Sequence, residues 1–171
     1  GVLPQDLPLQ DLDAAIRWVK AQPTAWDTAL VLGAEATVAE ARRMLPPAEG
    51  HGIVVGRSVD GVLRMEDVTG VVAASRLPTA LSDARLGDLV HARPIAIEAE
   101  DIRDGRAAFE LIVAADAELV LVVRRGEVIG TLSRRGALRS TLYRPAVDAS
   151  GRLHVAAAIG ISGDVAAKAR A

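Results

Sequence analysis

The chain contains no cysteine. Disulfides, a thiolate nucleophile and a zinc–thiolate site are therefore excluded from its 171 residues. Histidine is scarce too: His51, His91 and His154 stand singly, with no His-x-x-x-His pair to grip a metal from one helix face. Trp18, Trp26, Phe109 and Tyr143 are all the aromatics, which leaves few platforms for stacking a single-stranded nucleic acid. The formal charge of -2 argues against coating nucleic acid. No apolar run approaches the roughly 18 residues that cross a bilayer. No basic-then-apolar segment opens the chain, so no signal peptide is expected. The expectation is a cytoplasmic globular chain that touches neither nucleic acid nor membrane.

Half of the residues are hydrophobic, enough to build a real core. Lys20 and Lys168 are the only lysines, so arginine carries nearly all the positive charge. Leu9, Leu12, Ile16 and Val19 recur at helical spacing, with Asp11 and Asp13 in the first turn, and Pro23 closes that helix. Thr28 to Leu32 reads as a short apolar strand. Thr37-Val38-Ala39-Glu40 is a capping box that starts a helix at Thr37, and Pro46-Pro47 stop it. Ile53-Val54-Val55 reads as a buried strand. A turn at Asp60-Gly61 predicts a hairpin partner over Val62-Leu63-Arg64-Met65, and a helix starting near Glu66-Asp67.

The second half repeats the order. Pro94 to Ile97 is a strand, Asp104 caps a helix, and Leu119 to Val123 is a strand. Arg125-Gly126 is a turn, Val128 to Ser133 the partner strand, and a helix starts near Arg134. Leu32 answers Ile97, Thr37 answers Asp104 and Gly61 answers Gly130. Each half, at about 55 residues, is too small to stand well alone, so the two should share a core. At the far end Leu153-His154-Val155-Ala156-Ala157-Ala158-Ile159-Gly160 is small, apolar and continuous, the pattern of a parallel strand buried on both faces.

Two features together carry a resemblance. One is the repeated half ending in Gly-apolar-apolar-Ser/Thr-x-x-acid. The other is its frame, Leu3-Pro4-Gln5-Asp6 before it and Gly151-Arg152 through Gly160 after it. The repeat resembles tandem CBS domains, a Bateman module. The frame is similar to the IMP dehydrogenase / GMP reductase family, in which such a module is inserted into a (β/α)8 barrel. Leu138 to Asp148 resembles the actinobacterial branch whose members act as GMP reductases. The implied fold is α+β: a CBS pair of pseudo-twofold β-α-β-β-α repeats with short barrel stubs at both ends. The implied divisions are a stub over 1–8, a linker helix over 9–26, CBS domain 1 over 27–76 and a connection over 77–92. CBS domain 2 then covers 93–148, and the returning barrel strand with the start of its helix covers 149–171.

The resemblance implies no catalysis in these residues, since the family's cysteine loop lies downstream of the strand ending at Gly160. It implies ATP/GTP-type purine nucleotides as allosteric ligands, NADP(H) for the parent barrel, and pairing of modules between copies. Carboxylates would meet ribose hydroxyls, and helix-start amides and arginines would meet phosphates. In the first half Asp67 takes the acid position and Arg64 replaces the hydroxyl. Asp67 is equally the first-turn acid that a helix dipole favours. In the second half Ser133 keeps the hydroxyl and Gly136 replaces the acid. Ser133 is also an ordinary N-cap. Arg134 and Arg135 form the densest basic cluster with Arg139, whose bland reading is a solvated face. His51 opens a core strand near the expected cleft. Trp18 and Trp26 read as packing residues. Gly160 to Asp164 fails the P-loop pattern. The rival reading is a dimerisation module that has lost its ligand.

Overall fold

The computed structural model describes residues 2–3, 7–45, 50–90, 94–158 and 164–170. Pro4 to Asp6, the Pro46-Pro47 stop, His91 and the segment from Ile159 to Gly163 lie outside them. In chain order come β1 (Val2–Leu3), α1 (Leu9–Ala21), β2 (Leu30–Leu32), α2 (Val38–Met44), β3 (Gly52–Gly56), β4 (Val68–Ala73) and α3 (Leu86–Leu89). There follow β5 (Ala96–Glu98), α4 (Gly105–Ala114), β6 (Leu119–Arg124), β7 (Glu127–Ser133), α5 (Arg134–Leu142), β8 (Ala156–Ala157) and α6 (Val165–Arg170). Two compact units result, one of residues 1–24 with 145–171, the other of residues 25–144. The breaks fall a few residues inside the expected limits at 26 and 148.

In the larger unit two three-stranded sheets have the same topology, β2-β3-β4 and β5-β6-β7. Each has a parallel pair and then an antiparallel hairpin. The α+β tandem repeat is thus what the chain builds. Alternation explains the core. Ile53 and Val55 face α2 with Val38, Ala41, Val72 and Leu77. Val120 and Val122 face α4 and α5 with Ile112, Leu132 and Ala137. The intervening residues Val54, Leu121 and Val123 point the other way and meet between the two sheets. Strands buried on both faces read as continuous apolar runs, which is what Ile53 to Val55 and Leu119 to Val123 are.

The capping box forms as the sequence dictates. The Glu40 N–H donates to Thr37 Oγ1 at 3.3 Å, and Glu40 Oε2 accepts from the Thr37 N–H at 2.7 Å. That amide holds the Glu40 carboxyl below its usual range. Asp104 caps α4 by accepting from the Ala107 N–H at 2.8 Å.

The expected hairpin over Val62 to Met65 is corrected. Asp60 and Gly61 do turn, both at positive φ. The residues after them, however, do not pair with β3. Arg64 bridges Glu127, the Met65 N–H donates to the Gly126 carbonyl at 2.9 Å, and the Val128 N–H donates to the Leu63 carbonyl at 2.8 Å. Leu63 is buried between the sheets. The apolar stretch is strand-like because it docks on the other half's hairpin. No helix begins at Glu66-Asp67; Met65–Asp67 is a single 3₁₀ turn, and β4, the true partner of β3, follows.

The register fixes the real correspondence of the halves. Gly52 pairs with Ala73 as Leu119 pairs with Ser133, and Val55 pairs with Gly70 as Val122 pairs with Gly130. Gly70, not Gly61, answers Gly130. Within the connection over 77–92, Leu77 and Leu86 sit in the first core.

In the smaller unit β1 and β8 pair in parallel, Val2 with Ala156 and Leu3 with Ala157. Among the described residues the returning strand covers Ala156–Ala157, and Ala156 is exposed. Lys20 Nζ meets Asp148 Oδ2 at 2.9 Å. Asp148 also accepts from the backbone N–H groups of Ser150 and Arg152, which shapes the turn over 148–152. Trp18 is 60% exposed.

Candidate functional site

Ser133 ends β7 and starts α5. Its Oγ accepts from the Gly136 N–H at 2.9 Å, which satisfies one of the helix's orphan donors. The residue is 1% exposed, so this cap lies at the floor of a cleft rather than on the surface.

The cleft, of about 190 Å³, is lined by Asp27, Gly50, His51, Ser133, Arg135, Gly136 and Arg139. The first half contributes the residues before β2 and β3, and the second half contributes the start of α5. Gly50 makes the approach possible. Its φ is +86°, and a Cβ there would stand 3.1 Å from Ser133 Oγ and 3.2 Å from Arg135 Cβ. Asp27 is fixed by backbone pairing with Thr131, donating at 2.9 Å and accepting at 2.8 Å. Beside it, Trp26 packs on Gly130, where an added Cβ would fall 2.2 Å from Trp26 Cδ1. The indole Nε1 is buried without a partner among the described residues.

A wider apolar cleft of about 470 Å³ adjoins, lined by Gly50, Ser75, Phe109, Glu118, Arg134, Arg135 and Leu138. The two clefts share Gly50 and Arg135. One side therefore offers cations, a hydroxyl and helix-start amides, and the other an aromatic and aliphatic wall. That combination suits a ligand with an anionic end and a flat apolar end.

The residues singled out from the sequence thus divide. His51, Ser133 and Arg135 line the polar cleft. Arg134 turns away from it, pairing with Asp116 at 3.4 Å, and its side contributes to the apolar cleft. Arg64 and Asp67 lie elsewhere, on a separate depression with Val59, Asp60 and Val62. Arg64 is in the segment that docks on β7 and Asp67 ends the 3₁₀ turn after it, and no described cleft contains both Asp67 and Ser133.

The register also shows what the first half has in place of Ser133 and Gly136: Ala73 and Arg76. Ala73 caps with no side-chain bond. The helix that should follow is a 3₁₀ stretch, Ala74–Thr79, with Pro78 inside it. Proline removes the donor that an α-helix needs. At the end of this stretch the carbonyls of Leu77, Pro78 and Ala80 accept from the Arg42 guanidinium. Asp27 and Gly50 were missed in the sequence. Asp27 precedes a strand by three residues and belongs to no motif, and Gly50 gains meaning only from its approach to Ser133.

Among the described residues no helix is long and apolar enough to cross a membrane, and no cluster of three or more acidic or histidine side chains could hold a metal ion.

No family model matches the chain. The GMP reductase of Mycobacterium tuberculosis is 35% identical over 176 aligned residues, covering 99% of this chain and 34% of that protein. The chain therefore spans about a third of the length of the curated relative it matches. Among solved structures, a Trypanosoma brucei GMP reductase in complex with guanosine 5'-monophosphate aligns with a TM-score of 0.66 at 16% identity, over 95% of this chain and 35% of that one. The CBS domain of a bacterial CNNM/CorC family Mg²⁺ transporter, in complex with ATP, aligns with a TM-score of 0.51 at 13% identity, over 79% of this chain and 98% of that one. These two likenesses concern the fold.

Proposed function

We propose that this chain, which folds as a CBS pair and is 35% identical to a stretch of a GMP reductase, is the purine-nucleotide sensor of a GMP reductase/IMP dehydrogenase-like protein. The observation that carries the reading is the cleft at the start of α5, where His51, Arg135 and Arg139 converge with the buried Ser133 cap. Arginine and helix-start amides together make an anion site, and the adjoining Phe109–Leu138 wall suits a base. Ligands of the ATP and GTP class fit this chemistry, and similar proteins carry ATP or guanosine 5'-monophosphate.

The parent's barrel reduces GMP with NADP(H), and this module tunes it without touching the reacting atoms. Nucleotide shifts the balance between two arrangements of the protein, including how modules of different copies pair, in proportion to its difference in affinity for them. Arg134 belongs to the same proposal through the apolar cleft that it lines, whereas Arg64 and Asp67, on their separate depression, stand outside it.

The test is calorimetric titration of this chain with ATP, GTP, AMP and GMP, repeated on Arg135→Ala. Binding that Arg135→Ala weakens about tenfold supports the reading, that being the size expected for one lost charge-assisted bond. A folded chain that takes up none of the four overturns it.

A second reading has its own observation. The first half has neither the hydroxyl nor the acid, with Ala73 and Arg76 at the key positions and a broken helix after them. If the second half is equally inert, the chain is a structural pairing module. It would then associate with itself while no purine raised its melting temperature.

A further inference from the structure

Among the described residues Asp27 is the one acid lining the polar cleft, beside His51 and the guanidinium groups of Arg135 and Arg139. An acid there weakens the hold on any phosphate unless it has a ligand group of its own to bind. Its position is well defined. Both backbone bonds to Thr131 pin the residue to the edge of β7, and Trp26 is wedged against Gly130 beside it. Its Oδ2 lies 3.8 Å from the point where a side chain on Gly136 would begin. Gly136, in the first turn of α5, therefore leaves open the space into which Asp27 projects.

We infer that Asp27, from the first half, is the group that reads the sugar of a bound ribonucleotide, its carboxylate accepting from the vicinal ribose hydroxyls while the phosphate rests on the Ser133–Arg135 side. This rests on the nucleotide-binding reading and sharpens it. A carboxylate has two oxygens and no donor, so it matches a pair of adjacent hydroxyls. It lies within one helical turn of the anion-binding amides. In a nucleotide the sugar adjoins the phosphate, whereas the base is farther away and has the Phe109–Leu138 wall to itself. The site is complete only when both halves are in register. Asp27 stands three residues past Thr24, where the smaller unit gives way to the larger.

The test compares ATP and GTP with their 2',3'-dideoxy forms on the unaltered chain and on Asp27→Asn. Asparagine keeps the shape and the backbone bonds, and an unchanged melting temperature without ligand confirms the fold. The unaltered chain should bind the ribo forms about tenfold or more tighter than the dideoxy forms. Asp27→Asn should lose that preference, with its dideoxy affinity equal to or above that of the unaltered chain, because the uncompensated charge is gone. Ribonucleotide binding unaltered by Asp27→Asn overturns the inference, as does an equal loss for both sugars. A loss confined to guanine ligands overturns it too, by moving the carboxylate to the base edge. An unaltered chain that binds no nucleotide overturns this inference and the sensor reading together.

Discussion

The Leu63 carbonyl of the first half accepts from the Val128 N–H of the second at 2.8 Å, and the Leu63 side chain is 3% exposed between the two sheets. An eleven-residue excursion between β3 and β4 thus serves as a clasp on the opposite hairpin. Leu63→Ala should cost about 2–4 kcal/mol, the usual effect of deleting a buried leucine. Urea unfolding measures it. A loss within experimental error would mean that the clasp is ornamental.

The equivalent glycines Gly70 and Gly130 should separate stability from binding. A Cβ on Gly130 would fall 2.2 Å from Trp26 Cδ1 and 2.7 Å from the Asp27 carbonyl. A Cβ on Gly70 would fall 2.2 Å from Val90 Cγ1, far in sequence from any cleft residue. Each alanine variant should lose about 1–3 kcal/mol from overpacking. Only Gly130→Ala should also weaken nucleotide binding, since it displaces Trp26 and Asp27. Melting curves with and without nucleotide decide between the two.

Two N-caps offer a similar contrast. Ser133→Ala and Thr37→Ala each remove a helix cap and should each cost about 1 kcal/mol. Thr37 opens α2, away from the cleft, so its loss should leave affinity unchanged. Ser133→Ala should lower affinity several-fold beyond its effect on melting, read by calorimetry.

The smaller unit carries a pH dependence. The Lys20 ammonium, then the Arg152 and Ser150 amides, hold the Asp148 carboxyl well below the usual range. A carboxyl depressed on folding adds stability that is complete above its unfolded value of about 4 and fades as the pH falls below it. Amide exchange at Arg152 and His154 should therefore show protection that is flat from about pH 7 to about pH 5 and declines below about pH 4. Asp148→Asn should remove the decline along with part of the protection. An identical acid profile in that variant would contradict the assignment.

Much of the fold is written in local pattern. The Thr37–Glu40 box, the Asp104 cap and the continuous runs at Ile53 and Leu119 each declare an element without help from the rest of the chain. The stretch from Gly61 to Asp67 misleads for a physical reason. A turn followed by Val62 and Leu63 satisfies every local rule for a hairpin, and only competition with the β7 edge, a long-range partner, decides otherwise. That one error moves the first-half motif by nine residues, from Gly61 to Gly70, and carries Asp67 and Arg64 away from the site. In the second half a two-residue turn leaves no such choice, and Ser133, Arg135 and Gly136 stand at the start of α5, where the local pattern puts them. Asp27 is silent in sequence because its position depends on pairing with Thr131 across the repeat.

The measurement that bears most directly on the cleft as the nucleotide site is amide chemical-shift mapping of the chain titrated with ATP and GTP. The expected result is one saturable set of shifts centred on Asp27, Gly50, His51 and Ser133 to Gly136, with Asp60 to Asp67 unmoved. Shifts centred on Asp60 to Asp67, or none at saturating nucleotide, would contradict it.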